Sequence, residues 1–430
     1  MVHQRAWRNL MKISELSALE ILDSRGRPTL EVSCMFDSGH EGYAQVPSGA
    51  STGRAEAYEL RDNDPKRYRG LGCLKAVAHV KGEFRNQLVG ESFSDQATLD
   101  QRLLDIDGTH NKSRLGANTI LGISLAFARA SAAAHKQALY EYFATLNGQS
   151  ITTLPRLMVN LFSGGKHAGG QVALQDVLVV PGGAASIHRS LQDVVAVYNT
   201  ATDQMLEDYE MRKLTADEGG LAPAFPNIDA MFKGAIRAIN VAGLSGDVQL
   251  ALDVAASHFY SDAGYILNGR DSINATEMIE TMGAWAHQYP IVSIEDGLAE
   301  DDWSHWPQLT ATLGERCLTL GDDLLCTNPE RIQKAIDIKA CNALLLKVNQ
   351  IGTLTEALQA LKLARRAGWH VTISARSGET EDNWLADLAV GWSADQIKVG
   401  SINQSERLAK YNRLLAIERD LERGVVSWPA

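Results

Sequence analysis

Six apolar runs in the second half of this 430-residue chain each stop at a charged residue. VQLALD ends at Asp253, PIVSIE at Glu295 and LTLGD at Asp322, while ALLLK ends at Lys347, HVTISAR at Arg376 and DQIK at Lys398. The intervals of 42, 27, 25, 29 and 22 residues are filled by helical patterns, as successive βα units require. A parallel barrel gathers the C-terminal ends of its strands around one mouth, so the spacing predicts three acids and three bases in one site. Oxygen donors from three strand ends, with no Cys/His cluster to compete for zinc, suit a hard ion such as Mg²⁺ and also admit Mn²⁺. The competing reading is that these acids cap helices or pair with Lys347 and Lys398. Lys347 either pairs with an acid or serves as a base, which needs a fall of roughly three units from about 10.4, about 4 kcal/mol. Metal-bound acids beside a lysine base fit abstraction of a proton next to a carboxylate.

Other motifs extend this chemistry. ADEGGLAP sets Glu218 before a Gly-Gly turn, either as a polar turn or as a general acid opposite the base. NLFSGGKHAGG, which carries His167, and SGASTG, which carries Ser51, are glycine-hinged loops. Such loops either close over a substrate and expel water or are plain surface connections. Arg376-Ser377-Gly378 offers a bidentate guanidinium, a hydroxyl and an amide, the parts of a phosphate clasp.

The elements that must position these groups fall into two domains, as the length predicts. With 45% hydrophobic and 22% charged residues the composition is that of a globular protein. A net charge of −11 argues against a nucleic-acid footprint and confines anion binding to a local cationic pocket or a metal. No apolar run approaches the ~18 residues of a membrane span. The first residues lack the apolar core and cleavage site of a secretory signal. Five cysteines without CxxC pairing point to a reduced, cytoplasmic protein whose thiols pack as small apolar groups. Residues 1–16 read as an N-terminal extension. Strand patterns then run to Ala44 around a turn at DSRGRP, and helical periodicity follows, which makes residues 17–147 an α+β domain. The polar stretch NGQSITTLP marks the boundary, and alternating strands and helices over residues 148–430 predict a TIM-like αβ barrel.

The motifs converge on a family. ILDSRGRPTLEV, VPSGASTGRAEAYELRD, NKSRLGANTILGISLA, GGKHAGG, ADEGGLAP, LDVAASHFY, SIEDGLAEDDW, GDDLLCTN, LLLKVNQIGTLTEAL, RSGETEDNWLADLAV and SERLAKYNRLL resemble enolase (phosphopyruvate hydratase) in order and spacing from about Ser17 to Glu418. The resemblance implies an α+β N-terminal domain, an eight-stranded αβ barrel of modified topology, and a homodimer. A Lys or His base working with Mg²⁺ is a known pattern of enolase-superfamily sites. By position, Asp253, Glu295 and Asp322 become ligands of one Mg²⁺, and Ser51 helps bind a second. Lys347 becomes the base that removes the α-proton of 2-phosphoglycerate, and Glu218 assists loss of the β-hydroxyl. Lys398 takes the substrate carboxylate, Arg376 and Ser377 the phosphate, and His167 and Gln175 the loop-side contacts.

Several positions depart from the enolase pattern. HRSGETED has lost its histidine to Ala375, QEF is Gln175-Asp176-Val177, IEDP ends in Gly297, KTGAP reads Lys398-Val399-Gly400-Ser401-Ile402, and GDEGG begins with Ala216. Metal, base and phosphate groups are kept, while groups around the departing hydroxyl are altered. The expected activity is a Mg²⁺-dependent lyase acting on 2-phosphoglycerate or on a related phospho- or phosphono-carboxylate, of the carboxyphosphonoenolpyruvate synthase type. The alternative is a catalytically silent enolase-like binding or scaffold protein.

Overall fold

The computed structural model describes residues 11–50, 52–209, 214–267 and 271–429. Strands β1 (Ile13–Leu22), β2 (Pro28–Phe36) and β3 (Glu41–Gln45) form an antiparallel meander in chain order. The DSRGRP turn closes on its own acid. Asp23 Oδ1 accepts from the N–H groups of Arg25 (2.8 Å) and Arg27 (3.0 Å), and Gly26 takes a φ of 69°. Ile13 pairs with Phe36 and is fully buried, so the sheet begins earlier than the Ser17 at which the sequence reading starts the domain. Residues 1–10 of the expected extension lie outside the described residues.

A helical stretch over residues 74–88 and helices α1 (Gln96–Asp107), α2 (Ala117–Ala134) and α3 (Leu139–Asn147) follow the sheet in this unit. Helices α2 and α3 are separated at Lys136, which takes a left-handed φ of 57°. Nearly every residue of α2 is buried, as its alanine-rich sequence allows, and it lies close against the sheet. A Cβ at Gly42 would fall 2.2 Å from the Ala126 carbonyl oxygen and 2.4 Å from the Ala130 nitrogen. Gly42→Val therefore forces helix and sheet apart, and thermal unfolding should show a loss of about 2–3 kcal/mol.

β4 (Arg156–Ser163), β5 (Asp176–Val180), β6 (Gln249–Asp253), β7 (Ile291–Glu295), β8 (Leu318–Gly321), β9 (Ala343–Leu346), β10 (His370–Ser374) and β11 (Gln396–Gly400) close an eight-stranded barrel in chain order. β5 runs antiparallel to both neighbours, and the other pairs are parallel. Two helices, α4 (Ile187–Tyr209) and α5 (Ile228–Val241), separate β5 from β6. Thereafter one main helix follows each strand: α6 (Ala275–Gln288), α7 (Trp306–Leu313), α8 (Pro329–Ile338), α9 (Leu354–Arg366), α10 (Trp384–Gly391) and α11 (Ser405–Leu421). Simple alternation thus fails at the start of the barrel. The glycine-rich segment 164–175 between β4 and β5 holds only a short 3₁₀ turn, so β5 must return antiparallel. That reversal matters chemically, because it brings the first residue of β5 to the mouth at which the other strands end.

Side chains alternate across a strand, so each inward row runs from the barrel floor to its mouth in steps of two. Met158, Leu178, Val180, Ala251, Leu318, Leu320, Ala343 and Leu345 form one apolar cluster with Trp428, and this fills the lower barrel. Arg156 fastens the C-terminal segment beneath it by donating to the carbonyls of Trp428 (2.8 Å), Val426 (2.7 Å) and Pro181 (2.7 Å). Two residues further up, the same rows give Asn160, Asp176, Asp253, Asp322 and Lys347, and the parallel rows of β7 and β11 give Glu295 and Lys398. Apolar packing below and ionisable groups above are therefore one consequence of strand parity. Among the described residues, no helix is long and apolar enough to cross a membrane.

Candidate active site

Lys398 is the centre of the mouth. It lies within β11 rather than at its end, because the buried Val399 and Gly400 (φ 114°) carry the strand further past a register shift against β4. From there Nζ reaches Asp253 Oδ2 (2.8 Å) and both oxygens of Glu295 (2.9 and 2.8 Å), crossing to β7, four strands away in the ring of eight. Burial disfavours the ammonium, yet Asp253 and Glu295 hold its pKa well above the usual lysine value. Burial would raise Asp253, but Lys398 outweighs it and brings the carboxyl down to about 2. Glu295 goes the other way: burial, then the adjacent Asp253, push it well up.

Lys347 follows β9 and donates to Asp322 Oδ2 at 2.5 Å, while Gln350 donates to Asp322 Oδ1 at 2.9 Å. Burial lowers the Lys347 pKa, and Asp322 more than offsets it, so in this state the amine is held above its ordinary value. Behind Asp322, the Asp296 carboxylate accepts from the amides of Asp322 (2.8 Å) and Asp323 (2.7 Å).

A third group stands opposite Lys347, since β5 and β9 are four strands apart in either direction. Asp176 accepts from Ser163 Oγ (2.5 Å) and bonds His167 Nδ1 (2.9 Å), whose Nε2 lies 3.9 Å from Glu218 Oε1. Asn160 Nδ2 donates to Glu218 Oε2 at 3.1 Å. Glu218 is fixed through its backbone, where its carbonyl accepts from Ser401 N (2.8 Å). The next residue, Gly219, has a φ of 86° and no room for a Cβ beside Asn403. Burial disfavours the imidazolium, but Asp176 and Glu218 raise His167 to about 9. Burial raises Glu218, and His167 with Arg407, Lys398 and Lys347 more than reverses that, leaving it lowered. Gln175 donates to Asp253 Oδ2 at 3.1 Å and joins this side to the central cluster.

The fourth group is the clasp. Arg376 and Ser377 are buried, 3% and 4% exposed. The fully buried Arg407 on α11 shapes their backbone by donating to the carbonyls of Arg376 (2.7 Å), Ser377 (2.7 Å) and Val399 (3.0 Å). The N-terminal domain supplies Arg25, which donates to Ser377 Oγ (3.0 Å), the Ala50 amide, which donates to the same oxygen (2.7 Å), and Glu56, which pairs with Arg376.

The structure thus brings together Lys347, Glu218, His167, Gln175, Arg376, Ser377, Lys398, Asp253, Glu295 and Asp322 at one mouth. Ser51 lies outside the described residues. Asp253, Glu295 and Asp322 belong to three adjacent strand ends, with two ammonium groups lying on their oxygens. Among the described residues, the His and carboxylate groups whose ligand atoms lie within 4.8 Å of one another are His167/Asp176/Glu218 and Asp296/Asp322/Asp323, so of the three expected ligands only Asp322 falls in such a set. Carboxylates alone on neighbouring strands, with the raised Glu295 among them, are a donor set that fits a hard divalent cation. Sequence reasoning missed Glu56, Asp296, Asn349, Gln350, Arg25 and Arg407. All six lie inside the quoted blocks, but a residue's place in a turn, loop or helix carries no signal of what it will touch.

Two family models match the chain: the enolase N-terminal domain over residues 13–143, and the enolase C-terminal TIM barrel domain over residues 151–427. The chain belongs to the enolase family. This membership places it among the enolase-type lyases, with acidic clusters at the mouth that can hold a metal ion. Asp176, which stands where the enolase pattern has a glutamate, bonds both Ser163 and His167. Ala375 is buried at the end of β10, between the strands of Lys347 and Lys398, and its N–H donates to the Lys398 carbonyl (2.8 Å). Only a methyl group stands where an enolase presents an imidazole.

Proposed function

We propose that this enolase-family protein removes the proton α to the carboxylate of a small phospho- or phosphono-carboxylate and then expels a group from the β-carbon. The observation that supports this most is the opposition, across one mouth, of Lys347 on one side and the Asp176–His167–Glu218 set on the other. Lys347 Nζ takes the α-proton once Asp322 is drawn from it, since the ion pair otherwise keeps the amine charged. The electron pair of the broken C–H bond moves into the carboxylate, whose charge Lys398 meets. The β-carbon bond to the leaving oxygen then breaks as the C=C bond forms, and the proton that completes water comes from the His167–Glu218 pair. Asp253, Glu295 and Asp322 would hold one Mg²⁺ and Ser51 would help hold a second, and such ions would supply positive charge beside the substrate carboxylate. Arg376 and Ser377 grip the phospho group. A cytoplasmic homodimer is part of this reading, and the five free, buried cysteines are consistent with a reducing compartment.

Ala375 and Asp176 favour a substrate that differs from 2-phosphoglycerate at the β-carbon, as a carboxyphosphonoenolpyruvate-type enzyme requires. Asp176 belongs to the set that handles the leaving group, Ala375 lies between the strands of Lys347 and Lys398, and neither replaces the base or one of the proposed metal acids. The test is the 240 nm absorbance assay for phosphoenolpyruvate formation from 2-phosphoglycerate, with and without Mg²⁺. We expect a rate about 10²–10³ below that of an ordinary enolase. A normal Mg²⁺-dependent rate would mean Ala375 is tolerated and 2-phosphoglycerate is the substrate. Ala375→His should leave the rate low if the pocket is reshaped for another group, whereas a large gain would indicate a modified enolase.

A further inference from the structure

The guanidinium of Arg376 is already engaged. Glu56 reaches it from the N-terminal domain, with Oε1 accepting from Nη2 (3.1 Å) and Oε2 from Nη1 (3.2 Å), while Asn349 Oδ1 accepts from Nη1 at 2.9 Å. Both side chains are buried, 3% and 9% exposed, so solvent screens the pair little. Two carboxylate oxygens on the arginine fork have the same geometry as two oxygens of a phosphate, and that face takes one such oxyanion at a time.

The neighbouring cations are also matched. Arg25 pairs with Asp23 (2.8 Å), Arg407 with Glu406 (3.2 Å) and Lys410 with Glu379 (2.9 Å). A dianionic group arriving at the clasp therefore meets close to zero net charge unless one acid leaves. Asp23 is pinned by two backbone amides and Glu379 by the Arg376 amide. Glu56 accepts from Gly53 N (3.1 Å) and Gln350 Nε2 (3.3 Å), and it borders a cavity of about 280 Å³ with Asn349 and Asn118. It thus combines the arginine fork with adjoining space.

We propose that Glu56 is a built-in counter-anion of the clasp, which an incoming phosphate or phosphonate displaces into that cavity. Because Glu56 belongs to the loop that also meets the clasp through Ser48–Gly378 and Ala50–Ser377, the exchange couples anion arrival to the N-terminal domain's hold on the barrel. This rests on the reading that Arg376 and Ser377 receive the phospho group, and the experiment separates the two. Inorganic phosphate is titrated calorimetrically into the intact protein, into Glu56→Gln and into Arg376→Gln, with thermal melts confirming that each is folded. Glu56→Gln keeps the shape and removes the competing charge, so it should bind phosphate about tenfold more tightly than the unaltered protein. Arg376→Gln should lose binding. Unchanged, weaker or undetectable binding in Glu56→Gln would overturn the counter-anion and make Glu56 a positioning residue for Arg376. Undiminished binding in Arg376→Gln would instead overturn the clasp itself.

Discussion

Lys347→Ala is expected to lower kcat by about 10³–10⁴ and to abolish exchange of the substrate's α-proton with solvent. Lys347 follows an apolar strand, and its Nζ lies against Asp322 on the wall opposite the acid group. The loss could be blamed on charge alone, because removing the ammonium takes away the cation on Asp322 and leaves its carboxylate the Gln350 amide at 2.9 Å. Lys347→Arg settles that ambiguity. Arginine restores the positive charge but stays protonated at any pH the protein survives, so it cannot accept a proton. The account therefore expects no rescue by arginine in a steady-state assay, and recovery to near the original rate would show that Lys347 acts as a charge and not as a base.

Glu218→Gln is the second large effect, and its signature differs. Elimination should fall by about 10²–10⁴, while α-proton exchange continues, because the base on the opposite wall is untouched. The amide preserves the shape facing Asn160 Nδ2 but loses the negative charge that, with Asp176, raises His167 to about 9. The imidazole then holds its proton less firmly, and the acid end loses both its members' tuning. Proton NMR in D₂O reads exchange and elimination in one sample. If both fell together, Glu218 would belong to binding or folding and not to the second half of the reaction.

Much of this arrangement was legible in the sequence, for a physical reason. An apolar strand that ends in a charge declares both its burial and its mouth, and Asp253, Glu295, Asp322 and Lys347 all stand at or just beyond strand ends. Lys398 is the exception that shows the limit: its strand runs on to Gly400, and only the parity of β11 aims it inward. The reversal of β5 was hidden because DVLVV has the same apolar pattern in either direction, and the missing helix after β4 is the only trace of it. Groups joined across the domain boundary were hidden more completely. Glu56 and Arg376 are 320 positions apart, and nothing local to either announces the other.

The most direct test of the central claim is deuterium incorporation at the α-carbon of 2-phosphoglycerate in D₂O with Mg²⁺, comparing the unaltered protein with Lys347→Ala. The account predicts that the unaltered protein incorporates deuterium faster than it forms phosphoenolpyruvate, because the base is in place while the leaving-group end is altered, and that Lys347→Ala incorporates none. No incorporation by the unaltered protein, or equal incorporation by the variant, would contradict it.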